Sequence, residues 1–155
     1  MQRRLCVPAL LLVMGAGCAS PRVDVDGLER GLRSALAAGE GTEVAFDELV
    51  RAEWSTVALF GPYTPRELIH RCLDLDAGDV DAHGIEARDD VVLLVFRFPE
   101  GGHESVAITR EAADFGPEAV GSQYDRLAAR FVVRAPPAGN WGRLAPAGGI
   151  TWRCT

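Results

Sequence analysis

The segment Trp54-Ser-Thr-Val-Ala-Leu-Phe60 most constrains the fold, because both faces it would present as a strand are largely apolar. Trp54, Thr56, Ala58 and Phe60 alternate with Ser55, Val57 and Leu59. Such a strand belongs at the centre of a sheet, with packing on both sides. Gly61-Pro62 ends it. Thr64-Pro65-Arg66-Glu67 then reads as a helix start, with Thr64 at the N-cap, Pro65 at N1 and Glu67 completing a capping box. That helix runs to about Leu73 and buries Leu68, Ile69, Cys72 and Leu73.

The rest of the chain supplies the other layers. Val25, Leu28, Leu32, Ala35 and Leu36 recur at helical steps, with Asp24 or Asp26 to cap the start and Gly39 at the stop, which predicts a helix over 26–38. Glu43 to Phe46 reads as a short strand. Val91 to Phe98 is a strand that turns at Pro99-Glu-Gly-Gly and returns over Glu104 to Thr109 as a hairpin. Residues 110–123 read as irregular, 122–129 as a short helix, Arg130 to Arg134 as a strand and 135–149 as a loop. Ile150 to Cys154 reads as a last edge strand. The order predicts an α+β fold, a mostly antiparallel sheet of four to six strands packed with two main helices. At 155 residues, 48% hydrophobic and 25% charged, the chain suits one globular domain.

Its first 20 residues are not part of that domain. Arg3 and Arg4 precede an apolar run, Leu5 to Met14, and the small residues Gly15-Ala16-Gly17 follow. This is a secretory signal, too short to span a bilayer. Gly15-Ala16-Gly17-Cys18 resembles the lipobox of bacterial lipoproteins, with Gly15 where that family usually has Leu. The resemblance implies a signal peptide over 1–17, lipid on Cys18, a short tether over 18–25 and a single domain over 26–155. Ala19-Ser20, without an Asp after the cysteine, implies the outer membrane, on its periplasmic side. The mature chain keeps 14 arginines against 22 acidic residues, a net charge of −8.

With Cys6 lost and Cys18 lipidated, Cys72 and Cys154 remain as an even pair in an oxidising compartment, and a disulfide between them is expected.

The stretch Trp54-Ser-Thr-Val-Ala-Leu-Phe60-Gly-Pro-Tyr63-Thr is similar to the W-x-x-V-x-x-F-x-P-Y-T segment of small uncharacterised bacterial lipoproteins and secreted proteins. Ser55 stands where that family usually carries Asp. The resemblance implies a helix after the Pro-Tyr turn and a later hairpin, and it carries over no activity.

Chemistry-bearing residues are few. All 16 basic residues are arginine, which excludes lysine chemistry. The acidic balance excludes a general nucleic-acid binder. No phosphate loop or dinucleotide fingerprint is present, so no cofactor is expected. Asp79, Asp81, Gly84 and Asp90 match positions of a calcium loop, but His83 and Glu86 break its pattern and a strand follows, so 74–90 reads as a solvated acidic loop. His70, His83 and His103 fall in three elements and build no metal or nucleophile motif. Arg110 is placed to pair a carboxylate, and Phe115 to plug the core. Tyr63 and Trp141 are the candidate binding-surface residues. Each lies in a loop, where an aromatic either packs down or is presented to a partner. The expected function is a non-enzymatic, lipid-anchored periplasmic binding or structural module of the cell envelope, which binds a protein partner or the envelope itself. An inhibitor of an envelope hydrolase is the alternative.

Overall fold

Thr56–Phe60 form strand β2, hydrogen-bonded on one side to β3 (Val91–Arg97) and on the other to β6 (Ser122–Asp125). In the computed structural model, which describes residues 22–76, 80–135 and 142–154, β2 is the middle strand of a five-stranded sheet. Strands β4 (His103–Thr109) and β9 (Trp152–Arg153) are its edges, and every pairing is antiparallel. A second sheet orders β1 (Glu43–Ala45), β7 (Arg130–Arg134), β8 (Arg143–Pro146) and β5 (Asp114–Phe115), with β5 parallel to β8. The fold is α+β, as the order of elements predicted, and its strands divide between two sheets.

Both faces of β2 are buried. Val57 and Leu59 enter the core between the sheets, with Val92, Leu94 and Phe96 from β3 and Phe131, Val133 and Leu144 from the second sheet. Helix α1 (Val25–Ala38) adds Leu28 and Leu32 to this core. Phe131 is its hub: its ring lies 5.0–5.2 Å from those of Phe46, Phe115 and Tyr124. The opposite face of β2, Ala58 and Phe60, meets a second core built on Ile69 and Leu73 of helix α3 (Arg66–Leu73). Trp54 departs from the expected alternation. It precedes the strand, so its ring turns into the inter-sheet core, edge-on to Phe96 at 5.4 Å, while Phe60 faces the helix.

Several local expectations change. The N-cap of α3 is Pro65, and the Thr64 hydroxyl donates back to the Gly61 carbonyl at 2.7 Å, so it closes the preceding turn and no capping box forms. Phe46 leaves the first strand to begin a one-turn helix, α2 (Phe46–Leu49). The helix expected over 122–129 is strand β6 followed by a turn: Ser122 and Tyr124 are buried on alternate positions, and pairing with β2 overrides the local pattern. The irregular stretch 110–123 contains β5. The described part of the expected loop 135–149 contains β8, whose Leu144 and Ala145 are buried against β7.

At the chain's start, Asp24 caps α1 by accepting the Gly27 N–H at 2.9 Å. Before it, the Glu104 carboxylate accepts the N–H of Arg22 at 2.8 Å and of Val23 at 3.3 Å. Arg22 also pairs with Glu100 and lies over the Phe98 ring, and Val23 is buried. Arg22 and Val23 are therefore held by the fold, inside the stretch 18–25 expected as tether. Farther along β4, the Glu29 carboxylate of α1 accepts the Thr109 N–H at 2.9 Å, which ties the helix to the end of this edge strand.

At the other edge, Cys72 of α3 and Cys154 beyond β9 are joined as a disulfide, with Cα atoms 5.6 Å apart. Trp152 and Cys154 share a face of the extended C-terminal segment, and the bond ties that segment to the helix on the outer face of the sheet. Among the described residues no helix is long and apolar enough to cross a membrane.

Candidate functional site

The turn after β2 presents Tyr63. Its backbone is in the left-handed region, φ 61°, and its side chain is 61% exposed. The conformation is imposed from outside the turn: the Tyr63 N–H donates to the Ile85 carbonyl at 2.9 Å. A left-handed conformation costs an L-residue about 1–2 kcal/mol, and a bulky ring recovers none of it unless it packs. Here most of the side chain is exposed, so of the two alternatives for a loop aromatic Tyr63 is the presented one, not the packed one.

Beside Tyr63 stands an ion bridge. The Asp114 carboxylate accepts from Arg110 Nε at 2.8 Å and from its terminal NH2 group at 3.2 Å, and Arg143 Nε approaches the same carboxylate at 3.5 Å. The other terminal nitrogen of Arg110 donates to the Asp89 carbonyl at 2.9 Å. Arg110 follows β4 in one sheet, whereas Asp114 and Arg143 begin β5 and β8 in the other, so the bridge clamps the two sheets at the Tyr63 end. Hydrogen bonding to Asp114 raises Arg110 above its ordinary range, against the opposing effect of burial, and Asp89 and Tyr63 add to the shift. The expected pairing of Arg110 with a carboxylate is met by Asp114, and its tie to the acidic loop runs through a backbone carbonyl. Phe115 is buried, edge-on to Phe46 and Phe131.

This end of the molecule lies opposite the chain's entry. Glu104, which holds Arg22 and Val23, is near one end of β4, and Arg110 follows the other. Six residues of strand separate them by roughly 20 Å.

The histidines scatter as expected, with two refinements. His70 is buried in α3, and neither ring nitrogen has a hydrogen-bond partner among the described residues. His83 brings together a trio that spacing does not reveal: its Nε2 lies 3.4 Å from Ser105 Oγ, and its Nδ1 3.7 Å from Asp81. The trio is not arranged as a nucleophilic relay. Nε2 is closer to the Ser105 carbonyl, at 3.1 Å, which a protonated Nε2 satisfies as donor, leaving it no lone pair for the serine proton. Asp81 is largely exposed and beyond hydrogen-bond reach of the ring. His83 instead occupies a carbonyl on the edge strand β4.

The acidic loop keeps its solvated character in its described part. Asp81 accepts the His83 N–H at 2.8 Å as a local turn, and Asp90 takes two hydrogen bonds from Arg88, at 2.8 and 2.6 Å, which hold its carboxyl below the usual range. Among the described residues no group of three His, Cys, Asp or Glu is placed to hold a metal ion. Asp79, Cys18 and Trp141 lie outside the described residues.

The chain matches no protein-family model, no curated protein and no solved structure.

Proposed function

We propose that the protein is a lipid-anchored, non-enzymatic binding module of the bacterial cell envelope, held by lipid on Cys18 at the periplasmic side of the outer membrane, and that Tyr63 is its contact with a protein partner. The observation that carries the reading is Tyr63 itself. The side chain of a tyrosine that is strained and 61% exposed packs little in the fold, and an aromatic presented this way is what a partner's pocket uses as an anchor. The polarity of the molecule supports it. Three residues lie between Cys18 and Arg22, a reach of at most roughly 14 Å, so the Glu104 end sits near the lipid and Tyr63 points away from it. The membrane bond is the lipid's, since a domain of net charge −8 is repelled by anionic headgroups.

The test is a crosslinked pull-down from outer membranes with the wild-type protein and with Tyr63→Gly. One stoichiometric envelope protein, lost with Tyr63→Gly, is the expected result. If that protein is a lytic enzyme, the module is an inhibitor. If no protein is captured, or the variant captures it equally well, the reading is wrong.

A further inference from the structure

Arg97 ends β3 on the same face as Leu93 and Val95, the face that α3 covers, because alternate residues of a strand share a face. Where α3 stops, at Asp74, a cleft of about 600 Å³ opens between the helix end and the β3–β4 hairpin. Arg97, Asp74, Leu75, Phe98 and Pro99 line it. Arg97 is half-buried, yet its guanidinium has neither a carboxylate nor a hydrogen-bond acceptor among the described residues. Arg22, Arg33, Arg88, Arg110 and Arg143 all have carboxylates within 4.0 Å. Arg126 is likewise half-buried without a carboxylate, but its guanidinium lies over the Trp54 ring at 5.7 Å, a contact that Arg97 does not have among the described residues. Asp74 faces the same cleft and also lacks an ion partner among the described residues, so opposite charges line one cavity without pairing with each other. The Ser55 N–H and hydroxyl both donate to the Arg97 carbonyl, at 2.7 and 3.1 Å, which fixes the backbone that carries the guanidinium.

We propose that this cleft binds a short peptide with free termini, its carboxylate on Arg97 and its amine on Asp74. A guanidinium matches the two oxygens of a carboxylate, and Leu75 and Pro99 give an apolar wall for the peptide's side chain. The volume suits a ligand of two or three residues. A phosphate is disfavoured, because Asp74 repels a dianion. The site is separate from Tyr63 and does not depend on its role.

Calorimetric titration of the full-chain protein with the tripeptide Ala-Leu-Ala tests it, alongside the C-amidated and N-acetylated forms. The free peptide binds, and each modification weakens binding at least tenfold. Arg97→Gln removes the sensitivity to amidation and Asp74→Asn the sensitivity to acetylation; Asn tolerates the left-handed φ of 50° at position 74. No heat from the free peptide at millimolar concentration overturns the proposal, as does equal affinity for the amidated form. The modified peptides act on the wild-type protein, so the test stands even if a variant misfolds.

Discussion

Asp114 is clamped by Arg110 through two hydrogen bonds, at 2.8 and 3.2 Å, with its own side chain only 10% exposed. Replacing the carboxylate with an amide leaves two guanidinium groups facing each other without compensation. Both are partly solvated, which discounts the loss from that of a fully buried pair. Asp114→Asn is expected to destabilise the fold by about 2 kcal/mol, read as a lower midpoint in urea denaturation. A change under about 0.5 kcal/mol would show that the clamp contributes nothing to joining the sheets.

The Cys72–Cys154 bond closes a loop across a separation of 82 residues. The chain-entropy model assigns such a loop about 4.5 kcal/mol, lost when the bond is reduced. Non-reducing peptide mapping should recover one cross-linked peptide pair, and dithiothreitol should lower the urea midpoint. The disulfide assignment fails if both thiols of the protein, purified without reductant, react freely with a maleimide.

What the sequence made legible was local or carried by an unmistakable pattern. Asp24 caps α1 through a neighbour three residues away, and the β3–β4 hairpin folds on its own turn. The two apolar faces of β2 required the layers found on either side. The second sheet was hidden because its strands run two to five residues and pair over long distances: Glu43 faces Val132, and Asp114 meets Arg143. Strands that short carry little periodicity of their own. The strain at Tyr63 was hidden for a related reason, since a hydrogen bond to Ile85 sets its backbone. The Arg97 cleft did leave a trace: the charge continues the buried register of Leu93 and Val95.

Tyr124 gives the fold a defined alkaline limit. Its ring is fully buried, its hydroxyl reaches the Ala119 carbonyl at 3.5 Å, and Ser122 beside it opposes the effect of burial without cancelling it. Burial raises the phenol above its ordinary value of 10.0, because the phenolate is poorly solvated there. Above about pH 10 the unfolded chain releases this proton while the folded chain keeps it. The stability linked to Tyr124 is therefore complete below about pH 10 and is lost as pH rises through the folded-state value. Tyr124→Phe should flatten the fall in urea midpoint above pH 10. An unchanged slope would assign the alkaline loss to other groups.

Tyr63→Gly should raise stability. The left-handed backbone costs tyrosine about 1–2 kcal/mol, and glycine adopts it freely. Glycine gives back part of that gain through a more disordered unfolded chain, by about 0.5–1 kcal/mol. The ring is 61% exposed, so little packing is lost, and the Tyr63 N–H that bonds to Ile85 belongs to the backbone and survives the change. The expected net gain is about 0.5–1 kcal/mol, a rise in Tm of about 2–5 °C for a domain of this size. A variant that is more stable in isolation yet fails to capture the proposed partner separates binding from folding at one residue. A drop in Tm would show instead that the ring supports the turn, and would remove the strain argument for its function.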